Sequence, residues 1–168
     1  MAQSAALKSS AKENVLHVGI EREDRRKLAD QLGECLADTY MLYVKTQSFH
    51  WNVVGPMFYG LHKLTEAQYE DMADAIDEIA ERIRAIGFIA PGSFSQFSGM
   101  SHIQEETGAP SAEEMIKQLA EGNEICARRL RQAASEAEAV EDIRTADLLT
   151  ARVGQHEENV WMLKALLQ

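Results

Sequence analysis

Apolar residues recur at helical spacing along most of this chain. Between about Arg22 and Trp51, the residues Leu28, Leu32, Leu36, Tyr40, Tyr43 and Val44 lie three or four apart, which gathers them on one stripe of a helix. Asn52 and Gly55-Pro56 are expected to break it, and Pro56 suits the first turn of the next helix, where a missing N–H costs nothing. A second helix is predicted from about Met57 to Ile86, ended by Gly87 as its C-cap. At the rise of an α-helix it would be roughly 45 Å long. From Ala90 to Gly108 the pattern gives way to Gly, Ser, Pro and Phe, a long connection that has room for a short helix near Phe94–Phe97. Ser111 followed by Glu114 reads as a capping box opening a third long helix, with Met115, Leu119, Ile125 and Leu130 on its apolar face. A fourth begins near Glu141–Thr145 and carries Leu148, Leu149, Val153, Val160 and Leu163.

Four long helices with one long crossover in the middle suit an all-α, ferritin-like four-helix bundle whose crossover contains a short helix. Residues 1–21, mixing Ala, Ser and Lys, read as a flexible tail, and 22–168 as one bundle domain with no internal repeat. Composition agrees: 45% hydrophobic and 26% charged residues are ordinary for a globular protein, and three prolines leave long segments unbroken.

Net charge changes the picture more. At −10 the surface repels DNA and anionic membrane and attracts cations. No apolar run is long enough for a membrane span, and Met1–Ser10 lacks the pattern of a secretory signal, so a cytoplasmic location is expected. Cys35 and Cys126 fall inside helical patterns without metal-type spacing and are expected to be buried, reduced thiols.

Candidate metal chemistry concentrates in and just before the second helix. Iron(II) and similar ions favour imidazole together with carboxylate. His50, His62, Glu66, Asp77 and Glu81 supply both, with Glu70, Asp74 and Glu78 nearby. On a helical wheel with His62 at zero, Glu66 lies near 40°, Asp77 near 60° and Glu81 near 100°. They share one face, yet Glu66 and Asp77 stand roughly 16 Å apart along the axis, so one helix carries two half-sites. His62 and Glu81 have the same midpoint as Glu66 and Asp77, between Asp71 and Met72. Two copies packed antiparallel about a two-fold there would bring His62 and Glu66 of one chain beside Asp77 and Glu81 of the other, with His50 entering from the end of the first helix. The plainer reading of the same residues is a solvated acidic face. His17, His102 and His156 join no cluster; the first two read as loop or tail residues, and His156 as a packed or exposed one.

The run SFHWNVVGPMFYGLHKLTEAQYEDMADAIDEIAERIRAIG, Ser48 to Gly87, closely resembles the signature of the Dps family (DNA-binding protein from starved cells). The landmarks are His50, Trp51, Asn52, Gly55, Phe58 and His62, then Asp77, Glu81, Arg82 and Gly87. A weaker likeness covers Thr145–Thr150 and Val160–Leu167, and the resemblance extends from about residue 22 to the end. It implies a ferroxidase and iron-storage subunit of a dodecameric shell, with ferroxidase centres at two-fold interfaces. His50, His62 and Glu66 fall on ligand positions of one subunit, and Asp77 and Glu81 on those of its partner. Iron(II) would be oxidised, preferentially by hydrogen peroxide, and stored as ferric mineral, with zinc able to substitute at the same site. Trp51 reads either as an electron donor to stray oxidants or as interface packing. Glu70, Asp74 and Glu78 read as mineral nucleators or as solvated residues, and Glu138, Asp142 and Asp147 as the acidic lining of three-fold pores or as acidic residues that the dipole favours near a helix N-terminus.

The alternative function is DNA binding and compaction. It needs several Lys or Arg to neutralise phosphates. The tail offers Lys8 and Lys12 against Glu13, and Arg25, Arg26 and Lys27 are offset by Glu21, Glu23 and Asp24. Any DNA binding is expected to be weak, gaining only from the multivalency of an assembly.

Overall fold

The computed structural model describes residues 16–168. The tail lysines Lys8 and Lys12 with Glu13, and most of the expected tail, lie outside the described residues. Five helices follow: α1 (Arg22–Asn52), α2 (Phe58–Ala85), α3 (Phe94–Met100), α4 (Ala112–Ala139) and α5 (Ile143–Ala165). The four long ones form the bundle, and α3 sits in the connection between α2 and α4 as the sequence pattern predicts.

The apolar stripes are the core. Leu28, Leu32 and Leu36 of α1, Met115, Leu119 and Leu130 of α4, and Leu148, Leu149 and Leu163 of α5 are all buried. Val44 departs from the expected pattern and is exposed, because it sits at the edge of the α1 stripe. α1 packs against α2 and α4, and α4 against α5. Gly122 lets α1 approach α4: a Cβ there would lie 2.6 Å from Leu42 Cδ1.

Asn52 does not break α1; it is the last residue. Its side-chain amide donates to the Ser48 carbonyl one turn back at 2.7 Å. The turn that follows uses Gly55 at φ +92°, and Phe58 N–H donates to Gly55 O. α2 ends in a Schellman motif: Phe88 N–H donates to Ile83 O, Gly87 N–H donates to Arg84 O, and Gly87 takes φ +100°. The Arg25 side chain completes this end, donating to Ile86 O at 2.7 Å and Ile20 O at 3.2 Å. Ser111 caps α4 by accepting from Glu114 N–H at 3.3 Å.

Two ion pairs fix α2 against α5 in antiparallel register. Asp71 accepts from both terminal nitrogens of Arg152, and Asp142 accepts from Arg82 at 2.6 Å. Asp142 also accepts from Thr145 N–H and Oγ1, making it the N-cap of α5. It is only 2% exposed, which corrects the expectation that it lines a pore. Its carboxylate is committed to Arg82 and Thr145. Glu138 and Asp147 are exposed at the same corner.

The crossover is anchored through Asp38, a fully buried carboxylate on α1. It accepts from Ser101 Oγ at 2.9 Å and His102 N–H at 2.6 Å. Cys35 and Cys126 are buried free thiols, and burial pushes Cys35 up to about 12, so both stay protonated. Among the described residues, no helix is long and apolar enough to cross a membrane.

Candidate metal centre

Where α1 ends and α2 begins, the two helices hold a pair of imidazoles face to face. The His50 and His62 rings stack with centroids 3.8 Å apart and planes 16° from parallel. Each ring bonds the other residue's backbone: His50 Nδ1 lies 2.8 Å from His62 O, and His62 Nδ1 lies 2.9 Å from His50 O. A carbonyl can only accept, so each Nδ1 carries a proton, and in the neutral ring that leaves the lone pair on Nε2. This is the usual arrangement of a metal-ligating histidine, one nitrogen oriented by a backbone carbonyl and the other left for the ion. Phe58 stacks on His62 at 5.1 Å, and Tyr69 meets His50 edge-on at 5.2 Å, so both rings are held from behind as well.

Glu66 stands one turn beyond His62 on α2, half-buried. Its carboxylate accepts from Lys63 Nζ at 2.6 Å. That hydrogen bond holds the carboxyl below its ordinary range against partial desolvation, with smaller pulls from the charge of Lys63 and from both imidazoles. The two imidazoles are thus brought together, while the ionised Glu66 carboxylate is paired with Lys63 and does not join them in a cluster close enough to hold an ion.

Asp77 and Glu81 lie farther along the same helix face, both exposed, and roughly 22 and 28 Å along the axis from His62. One chain does not bring them to the histidines. Among the described residues, no three His, Cys, Asp or Glu side chains of the chain cluster closely enough to hold an ion. The face carrying all four α2 residues points out of the bundle, with Met72 fully buried on the opposite side. Trp51, next to His50, is 66% exposed. Glu70, Asp74 and Glu78 are exposed too.

Two neighbours of the centre escaped the sequence reading. Tyr69 lies seven residues after His62, two turns on and on the same face, a spacing that was legible. Lys63 could be placed only once its rotamer was known.

His156, expected to be packed or exposed, is fully buried between α4 and α5. Its Nδ1 bonds Asn123 Oδ1 at 2.8 Å, and Asn159 donates to the same oxygen at 3.2 Å. His102 is exposed in the crossover and hydrogen-bonded to Arg129.

A helical bundle with a long crossover and a histidine–carboxylate face defines a class, and the family comparison agrees: residues 29–168 match the Ferritin family model, a ferritin-like domain. Among curated relatives, a low temperature-induced protein of Nostoc, itself uncharacterized, is 38% identical over 155 residues, covering 91% of this chain and 87% of its own length. "DNA protection during starvation protein 2" of Bacillus anthracis is 34% identical over 142 residues, covering 84% and 97%. Among solved structures, a Dps protein from Vibrio cholerae, described as belonging to a superfamily of ferritin-like diiron-carboxylate proteins, superposes with a TM-score of 0.87 at 31% identity, covering 95% of this chain and all of that one. The chain belongs to the Dps family of ferritin-like proteins.

Proposed function

We propose that this chain is a ferroxidase subunit of a Dps-type iron store. Two chains pair antiparallel along α2, so that His50, His62 and Glu66 of one and Asp77 and Glu81 of the other enclose each centre. Iron(II) is the substrate, hydrogen peroxide the preferred oxidant and dioxygen a slower one, and ferric mineral collects inside a hollow dodecamer. The observation that carries this reading is the reciprocal hydrogen bonding of His50 and His62, which commits both Nδ1 atoms to main-chain carbonyls and reserves the two Nε2 atoms of the stacked pair for an ion.

In this arrangement the imidazoles bind ferrous iron as neutral donors, and the carboxylates offset its charge as it becomes ferric. Two ferrous ions give one electron each to one peroxide, so both oxygens end at the oxidation level of water and no hydroxyl radical escapes. Zinc fits the same donor set as a substitute. The relatives' names speak of DNA protection; with a net charge of −10, protection here is assigned to removal of iron and peroxide rather than to coating of DNA.

Sharing of the site is tested by co-assembling His62→Ala and Glu81→Ala chains and following ferric absorbance after anaerobic iron loading and peroxide addition. Each variant alone is expected to lose oxidation. In a random mixture half the dimers are mixed and each holds one intact centre, so about a quarter of the sites recover. No recovery in the mixture would overturn the shared centre.

A further inference from the structure

Buried threonines inside α1 and α2 give their hydroxyl hydrogens to carbonyls one turn back. Thr39 Oγ1 donates to Cys35 O at 2.8 Å, and Thr46 Oγ1 to Leu42 O at 2.7 Å. Thr65 Oγ1 donates to Leu61 O at 2.7 Å. Such back-bonding is how a helix accommodates a buried hydroxyl, and it accounts for the first two residues in full. Thr65 differs in what else surrounds its oxygen. His62 O lies 3.1 Å away, and His50 Nδ1 3.4 Å away. Among the described residues, Thr39 and Thr46 have no such further polar neighbours.

A hydroxyl has one hydrogen to give. Leu61 O and His62 O compete for that of Thr65, and neither can return one. What Thr65 turns towards the imidazole is therefore a lone pair. The proton on His50 Nδ1 lies between two acceptors, His62 O at 2.8 Å and Thr65 Oγ1 at 3.4 Å. His62 Nδ1 has, among the described residues, the His50 carbonyl alone, at 2.9 Å. His50 is also buried where His62 is half-buried. The two rings are stacked as equals but supported unequally.

We infer that Thr65 is a positioning residue for the metal centre: its buried oxygen is a second acceptor for the His50 Nδ1–H and makes His50 the stronger donor of the two imidazoles. The inference rests on the metal-binding reading of the histidine pair. An ion on Nε2 draws charge from the ring and leaves Nδ1–H more polar, so an acceptor behind that proton strengthens the nitrogen in front. At 3.4 Å the contact is long for a hydrogen bond, and its share grows as the ring is polarised. It also fixes the tautomer. The other form would set a bare Nδ1 against the His62 carbonyl and a hydroxyl whose hydrogen is committed elsewhere. Thr65 acts only through His50.

The test is titration calorimetry of the assembled protein with zinc, comparing the wild type with Thr65→Val, Thr65→Ser and Thr46→Val. Valine keeps the shape of threonine and removes the oxygen, and Thr46→Val removes an equivalent back-bond from α1. Thr65→Val is expected to weaken zinc binding roughly ten-fold, the low end for an outer-shell partner of a ligating histidine, because His62 O stays as the main acceptor. Thr65→Ser should restore most of that loss, and Thr46→Val should bind as the wild type does. In metal-free protein, 15N solid-state NMR of histidine-labelled chains should show the His50 Nδ1 resonance displaced in Thr65→Val and that of His62 unmoved. Wild-type affinity in Thr65→Val, a loss matched by Thr46→Val or not repaired by serine, or equal displacement of both resonances would each overturn the role of Thr65 while leaving the metal centre standing. A wild type that takes up no zinc would overturn the metal centre and the role of Thr65 with it.

Discussion

Lys63 and any metal at the centre compete for one carboxylate. Glu66 accepts from Lys63 at 2.6 Å, so an incoming ion must displace the ammonium. Lys63→Met is therefore expected to tighten zinc or anaerobic ferrous binding by roughly two- to five-fold, a modest factor because the pair is solvent-exposed; titration calorimetry reads it directly, and unchanged affinity would mean that Glu66 does not bind. His156 makes the complementary point in the core. Burial, reinforced by Arg152 and opposed by Asp71, lowers its pKa from an ordinary 6.5 to about 3. The unfolded chain takes up this proton below pH 6.5, while the folded one resists it until about 3. The stabilisation is thus complete above pH 6.5 and is lost as pH falls, by up to about 1.4 kcal/mol per pH unit. Urea midpoints of wild type and His156→Gln should converge as pH drops across that window; parallel curves would refute it. The sequence showed His156 as a histidine in no cluster, and its partner Asn123 is 33 residues distant, so nothing local revealed the bond. Asp142 was misread for a related reason. An acidic residue at a helix start looks like exposed charge, and only the tertiary approach of Arg82 shows it to be an interior cap.

Secondary structure was far more legible, since caps and stripes are local. α1 and α2 fall within a residue of their expected ends, α4 and α5 open where expected, and α3 runs on to Met100 beyond the expected Phe97. Asn52 closes α1, one residue beyond the expected end near Trp51. Gly87 was recognisable as a cap, and its consequence is measurable. Gly87→Ala places a side chain at φ +100°, with Leu16 Cδ1 at 3.0 Å and Arg25 Nη1 at 3.1 Å from the new Cβ. A loss of about 1–2 kcal/mol is expected from the left-handed backbone alone, read by urea denaturation. The Asp38 anchor of the crossover had no signature, because it joins positions more than sixty residues apart.

For the molecule as a whole, charge and symmetry decide what a single chain cannot. The mirrored spacing on α2 was legible because it is a property of one helix, whereas the encounter of two helices belongs to the proposed dimer. The corner holding Glu138 and Asp147 is where acidic residues remain exposed after Asp142 is withdrawn. Glu138→Gln with Asp147→Asn is expected to slow iron uptake into the assembled shell while leaving oxidation by preloaded centres intact; identical uptake traces would remove the pore assignment. The stacked histidines carry a consequence for timing. Both rings are clamped by main-chain groups of their own subunit, so each newly folded chain already carries a posed but incomplete grip on metal. On the shared-site reading such a chain is chemically idle. On that reading ferrous iron would meet a full set of donors only after two chains have docked, which would tie its reactive encounter with an oxidant to assembly.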